Sequence, residues 1–73
     1  MKKTIHLTEY KNVVEKLKEA RKKSGLTQKE VAEKLKKPQS YISKAEAGEQ
    51  RIDIIELKSF ANLYNKSLNY FIK

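Results

Sequence analysis

Apolar side chains recur along this chain at three- and four-residue intervals, a spacing that predicts helices, and no strand pattern stands out. From Thr8 onward, Tyr10, Val13, Val14, Leu17 and Ala20 form one stripe with Lys and Glu between them, and Ser24-Gly25 supplies the stop of a first helix. Thr27-Gln28-Lys29-Glu30 reads as a capping box, the threonine oxygen accepting from the Glu30 amide while the Glu30 carboxylate reaches back to the Thr27 amide. The helix it opens turns Val31, Ala32 and Leu35 inward. It breaks at Lys36-Lys37-Pro38, because proline disfavours helical geometry in the residue before it. A third helix starts at Pro38 or Gln39, runs to about residue 47 and ends at Gly48. Asp53-Ile54-Ile55-Glu56 is a second capping box, after which Ile54, Leu57, Phe60, Ala61 and Tyr64 keep helical spacing as far as Asn65. Ser67 caps a last short helix carrying Leu68, Tyr70, Phe71 and Ile72.

Composition narrows the picture. Seventy-three residues suffice for one compact domain spanning 1–73, with residues 1–7 expected to be a flexible lead-in. A charged fraction of 36% without stripes would indicate disorder, so the stripes decide for a folded, all-α domain. Lys plus Arg number 17 against 9 Asp plus Glu, and a net charge of +8 on so short a chain points to a polyanionic partner, nucleic acid first. There is no cysteine for a disulfide or a thiolate metal site, and His6 stands alone. Without a nucleophile beside a base, a metal-ligand cluster or a phosphate-cradling glycine loop, no enzyme, metal or cofactor is expected. No apolar run is long enough for a signal peptide or a membrane span, which leads to the expectation of a soluble, cytoplasmic protein with no membrane partner.

Two short helices joined by about three residues in a basic chain are the arrangement that lays its second helix in the DNA major groove. At about 100° per residue, Ile42 and Ala45 fall on one side of the third helix, and Gln39, Ser40, Ser43, Lys44 and Ala47 on the other. That free side has the chemistry base edges require. Gln39 can bond adenine bidentately, Lys44 can donate to guanine acceptors, and serines serve either role. Ala32, being small, lets helices two and three cross closely. The rival for each polar residue is an ordinary solvated face.

The runs Leu26-Thr27-Gln28-Lys29-Glu30-Val31-Ala32-Glu33-Lys34-Leu35 and Gln39-Ser40-Tyr41-Ile42-Ser43-Lys44-Ala45-Glu46-Ala47-Gly48 resemble the Cro/phage-repressor (XRE) helix-turn-helix family. The resemblance covers roughly residues 13–72. It implies a five-helix, lambda-repressor-like fold and a homodimer on a pseudo-palindromic, inverted-repeat operator in double-stranded DNA. It also implies transcriptional regulation, usually repression. By the family pattern Gln39, Ser40 and Lys44 read bases with Ser43 near them. Gln28 contacts a phosphate and can brace Gln39, Tyr41 lies closer to the DNA backbone, and Arg51 matches a frequent phosphate contact. The family pairs an arginine late in helix one with a glutamate late in helix three, here Arg21 and Glu46.

Two positions depart from the pattern: Lys36 stands where glycine is usual and Lys37 where an apolar residue is common. These substitutions lead to the expectation of a reshaped turn, with Lys36 and Lys37 either contacting phosphates or forming part of a solvated charge run. Lys16, Lys18, Lys22 and Lys23 are read as a solvated face. The dimer contact is placed on residues 65–72, although Leu68 and Phe71 can equally seal the monomer core. A protein-interaction adaptor and an antitoxin-type autoregulator are the alternative functions.

Overall fold

The computed structural model describes residues 8–72, side chains from Tyr10 onward; the lead-in expected at 1–7 and His6 lie outside the described residues. Five helices follow one another: α1 (Thr8–Lys23), α2 (Gln28–Leu35), α3 (Gln39–Glu46), α4 (Ile54–Leu63) and α5 (Leu68–Ile72). Among the described residues there is no strand, as the periodicity predicts.

Helices α2 and α4 begin with the expected capping boxes. The Thr27 hydroxyl accepts the Glu30 amide at 3.1 Å while the Glu30 carboxylate accepts the Thr27 amide at 2.8 Å. Asp53 and Glu56 do the same at 2.7 and 3.0 Å. Each box satisfies two amides that helix geometry leaves without a partner. Ser67 accepts the Tyr70 amide at 3.2 Å and opens α5.

The first four helices stop alike, with an amide bonded back to the carbonyl five residues earlier: Leu26 to Arg21, Lys37 to Ala32, Glu49 to Lys44 and Lys66 to Ala61. That closure needs one residue in the left-handed region just before the donor. Gly25 and Gly48 occupy it at φ 74° and 78°, Asn65 at φ 58°, and, between α2 and α3, Lys36 at φ 58°. The expected reshaping of this turn does not occur. Lysine adopts the glycine conformation, the bond from Lys37 to the Ala32 carbonyl forms at 2.9 Å, and Pro38 (φ −64°) leads into α3 in extended geometry.

The core is built from Val13, Leu17, Ala20, Val31, Ala32, Ile42, Leu57, Phe60, Ala61, Tyr64 and Phe71. Phe60, Phe71, Leu17, Ile42 and Val31 are fully buried, each contributing about 1.5–3 kcal/mol. Helix α1 packs on α3 and α5, and α2 packs on α3 and α4. Two expectations need correction. Ile54 is 56% exposed, because at about 100° per residue it lies about 70° from the middle of the α4 stripe. Lys16 is not simply solvated: its ammonium donates to the Tyr70 carbonyl at 3.0 Å and lies 5.3 Å from the Tyr70 ring centre, tying α1 to α5.

Candidate nucleic-acid interface

Helix α3 is anchored by one face. Ile42 and Ala45 are fully buried, whereas Gln39, Ser40, Ser43, Lys44 and Ala47 are all exposed. The division falls where the helix wheel puts it, since buried and exposed positions alternate with the 3.6-residue period. Three of the exposed side chains carry hydrogen-bonding groups on short stems, and Lys44 adds a cation.

One carboxylate ties α3 to the helices behind it. Glu46 is 5% exposed. Arg21 donates to it in a fork, Nε to Oε2 at 2.7 Å and Nη2 to Oε1 at 3.1 Å. Gln28 Nε2 donates to the same Oε1 at 3.0 Å. Arg21 also donates from Nη1 to the Leu26 carbonyl at 2.9 Å, so one guanidinium spans α1, the loop before α2 and the end of α3. The hydrogen bond that Arg21 donates to Glu46 holds the Arg21 pKa above its usual value, desolvation opposing it. Behind the pair lies the buried Tyr64 hydroxyl. Burial pushes its pKa up, the Glu46 charge adds to the rise, and Arg21 works against it.

The other expected contacts are placed unequally. Gln28, the first residue of α2, is half-buried and engaged with Glu46. Tyr41 stacks on Phe60 with ring centres 6.3 Å apart, and its hydroxyl is buried. Desolvation raises its pKa, with the nearby Glu56 carboxylate next in effect. The hydroxyl expected near the DNA backbone thus lies inside the fold, against Phe60 and Glu56. Lys37 lies over the Tyr41 ring at 4.9 Å with its ammonium 3.6 Å from Glu56 Oε2, yet keeps 40% of its side chain exposed. Arg51 is exposed in the loop between α3 and α4.

Sequence reading assigned Tyr10 to the core stripe and missed its polar end. The Tyr10 hydroxyl accepts the Ile52 amide at 2.9 Å and donates to the Gln50 carbonyl at 3.3 Å. The available signal is the residue type: a tyrosine hydroxyl on such a stripe usually finds a hydrogen-bond partner, which a leucine there would not.

A short helix braced from behind, followed by a tight turn and a second helix with a free polar face, defines the helix-turn-helix class. Residues 17–71 match the model of the helix-turn-helix family, and the chain belongs to that family, as its resemblance to the Cro/phage-repressor type implies. The chain is similar to the HTH-type transcriptional regulator ImmR of Bacillus subtilis (strain 168). The two are 45% identical over 56 residues, which cover 77% of this chain and 44% of that protein. The chain thus spans less than half the length of that relative. Among the described residues no group of His, Cys, Asp or Glu could hold a metal ion, and no helix is long and apolar enough to cross a membrane.

Proposed function

We propose that this protein is a sequence-specific regulator of transcription, a repressor that binds double-stranded DNA with α3 in the major groove. The observation that carries the reading is the exposed set Gln39, Ser40, Ser43 and Lys44 on a helix whose opposite face is buried. Gln39 is suited to adenine, Lys44 to guanine and the two serines to either. The net charge of +8 supplies the attraction to phosphate, and the regulator named among its relatives supports the class. Arg51 and Lys37 are the side chains proposed to meet the DNA backbone. Gln28 joins them through its backbone amide at the start of α2, where helix geometry leaves amides free for an anion.

The operator is proposed to be an inverted repeat bound by a homodimer. The backbone of the described residues extends over 28 × 27 × 20 Å. Two copies therefore fit side by side at the ~34 Å spacing of successive major grooves on one side of DNA. The dimer contact is proposed around residues 65–72, where Phe71 and Leu68 face the core but Ile72 is 58% exposed.

Selection of bound sequences from a random DNA pool, with wild type beside Gln39→Ala and Lys44→Ala, tests the proposal. The expected result is an enriched inverted repeat, with preference lost at different base pairs in the two variants. No enrichment, with equally salt-sensitive binding by all three proteins, would overturn sequence-specific reading. The exposed Ile54, Ile55 and Ile72 favour a protein-interaction adaptor as the second reading. An apolar protein interface weakens little with salt, whereas DNA binding weakens steeply.

A further inference from the structure

Arg51 stands in a loop that is held from outside. On one side of it the Gln50 carbonyl accepts from the Tyr10 hydroxyl at 3.3 Å, and on the other the Ile52 amide donates to the same hydroxyl at 2.9 Å. Tyr10 belongs to the first turn of α1, far from the loop in sequence. The Gln50 side chain adds a bond from Nε2 to the Arg51 carbonyl at 3.4 Å, and the Asp53 capping box follows immediately. Half-buried, with its pKa pushed up mainly by desolvation, the phenol keeps its proton and so both donates and accepts. Tyr10 also lies before the residues matched to the family, 17–71, so the clamp is not something that family membership assigns.

A cation on an unconstrained loop loses conformational freedom when it docks, and pre-organisation removes that loss. We propose that Tyr10 is a positioning residue for Arg51, its hydroxyl holding the loop in the shape in which the guanidinium meets a DNA phosphate. The inference rests on the reading of Arg51 as a phosphate contact and deepens it.

The test is a double-mutant cycle of wild type, Tyr10→Phe, Arg51→Ala and the double variant. Affinity for a mixed-sequence DNA duplex of about two helical turns is measured from about 0.05 to 0.2 M salt. Arg51→Ala is expected to lower the slope of log affinity against log salt by about 0.9. At 0.1 M salt that corresponds to about eightfold weaker binding, reckoned from a 1 M reference. Tyr10→Phe is expected to reproduce part of both losses, and the double variant to bind within about twofold of Arg51→Ala alone. Tyr10→Phe without effect on binding, or an equal loss with and without Arg51, would overturn the positioning role while leaving the phosphate contact standing. An unchanged slope in Arg51→Ala would overturn the phosphate contact and the positioning role with it.

Hydrogen exchange in the wild-type protein keeps the question open to refutation if Tyr10→Phe fails to fold. Protection of the Ile52 amide well above that of the Arg51 amide supports the clamp, and equal exchange of the two overturns it.

Discussion

Replacing Arg21 by alanine strands the Glu46 carboxylate. In the folded protein Glu46 has three side-chain hydrogen bonds, two from Arg21 and one from Gln28, and only 5% of its surface meets solvent. The side chain of Arg21 is itself 13% exposed, so solvent screening removes little of the interaction. Deleting one partner of such a pair costs about 3–5 kcal/mol, because the remaining charge loses its partner but not its burial. A small domain has roughly 5–15 kcal/mol of stability in total, and 1 kcal/mol moves its melting temperature by about 4–8 °C. Arg21→Ala should therefore melt at least about 12 °C below wild type in a calorimetric or circular-dichroism scan. Arg21→Lys should recover only part of the loss, since an ammonium cannot reproduce the planar fork. The paired change Arg21→Met with Glu46→Met should lie much closer to wild type, because it removes both charges and keeps most of the volume. Melting of Arg21→Ala within about 2 °C of wild type, or a paired variant less stable than Arg21→Ala, would refute the claim that the buried charge is the source of the cost.

Lys36→Gly should raise stability by about 0.5–1 kcal/mol, the relief of a left-handed lysine exceeding the entropy glycine adds to the unfolded chain; a lower denaturation midpoint would contradict this. Lys16→Met should lower stability by about 0.5–1 kcal/mol by uncapping α5, as a urea melt would register; an unchanged midpoint would show the ammonium contributes nothing there. Tyr10, Tyr41 and Tyr64 all have pKa values raised by burial, so their stabilising effect is complete below the unfolded value of about 10 and is lost as pH rises beyond it toward the folded values. The melting temperature should fall from about pH 10 upward, and more gently in Tyr64→Phe than in wild type; parallel pH profiles would exclude Tyr64 as a contributor.

The helices were legible because their signals are local. A capping box needs four consecutive residues, and the core stripes need only a period, so α1 to α5 fall close to where the sequence puts them. The face of α3 was legible for the same reason, Ile42 and Ala45 fixing which side is free. What was not legible depends on meetings across the fold. Nothing within three or four residues of Tyr10 indicates that its hydroxyl binds Gln50 and Ile52, or near Lys16 that it reaches Tyr70. The direction of Tyr41 is likewise not legible, because a tyrosine at the edge of an exposed face can turn either way, and here its ring stacks on Phe60. At Lys36 the departure from glycine is visible in the sequence but its effect on the turn is not. The bond from Lys37 to the Ala32 carbonyl holds the turn to its usual shape despite the side chain.

Helix α3 holds its place through residues other than those proposed to read DNA. Ile42, Ala45 and Glu46 are buried, whereas Gln39, Ser40, Ser43 and Lys44 are exposed and, among the described residues, make no side-chain hydrogen bond or ion pair. Surface changes of that kind usually move stability by less than about 0.5 kcal/mol. The four positions are therefore free to vary as an alphabet while the scaffold stays the same. If these four positions read DNA as proposed, a lineage of such proteins can drift from one DNA site to another through fully folded intermediates, and an engineer can rewrite the same four letters without first having to repair the fold.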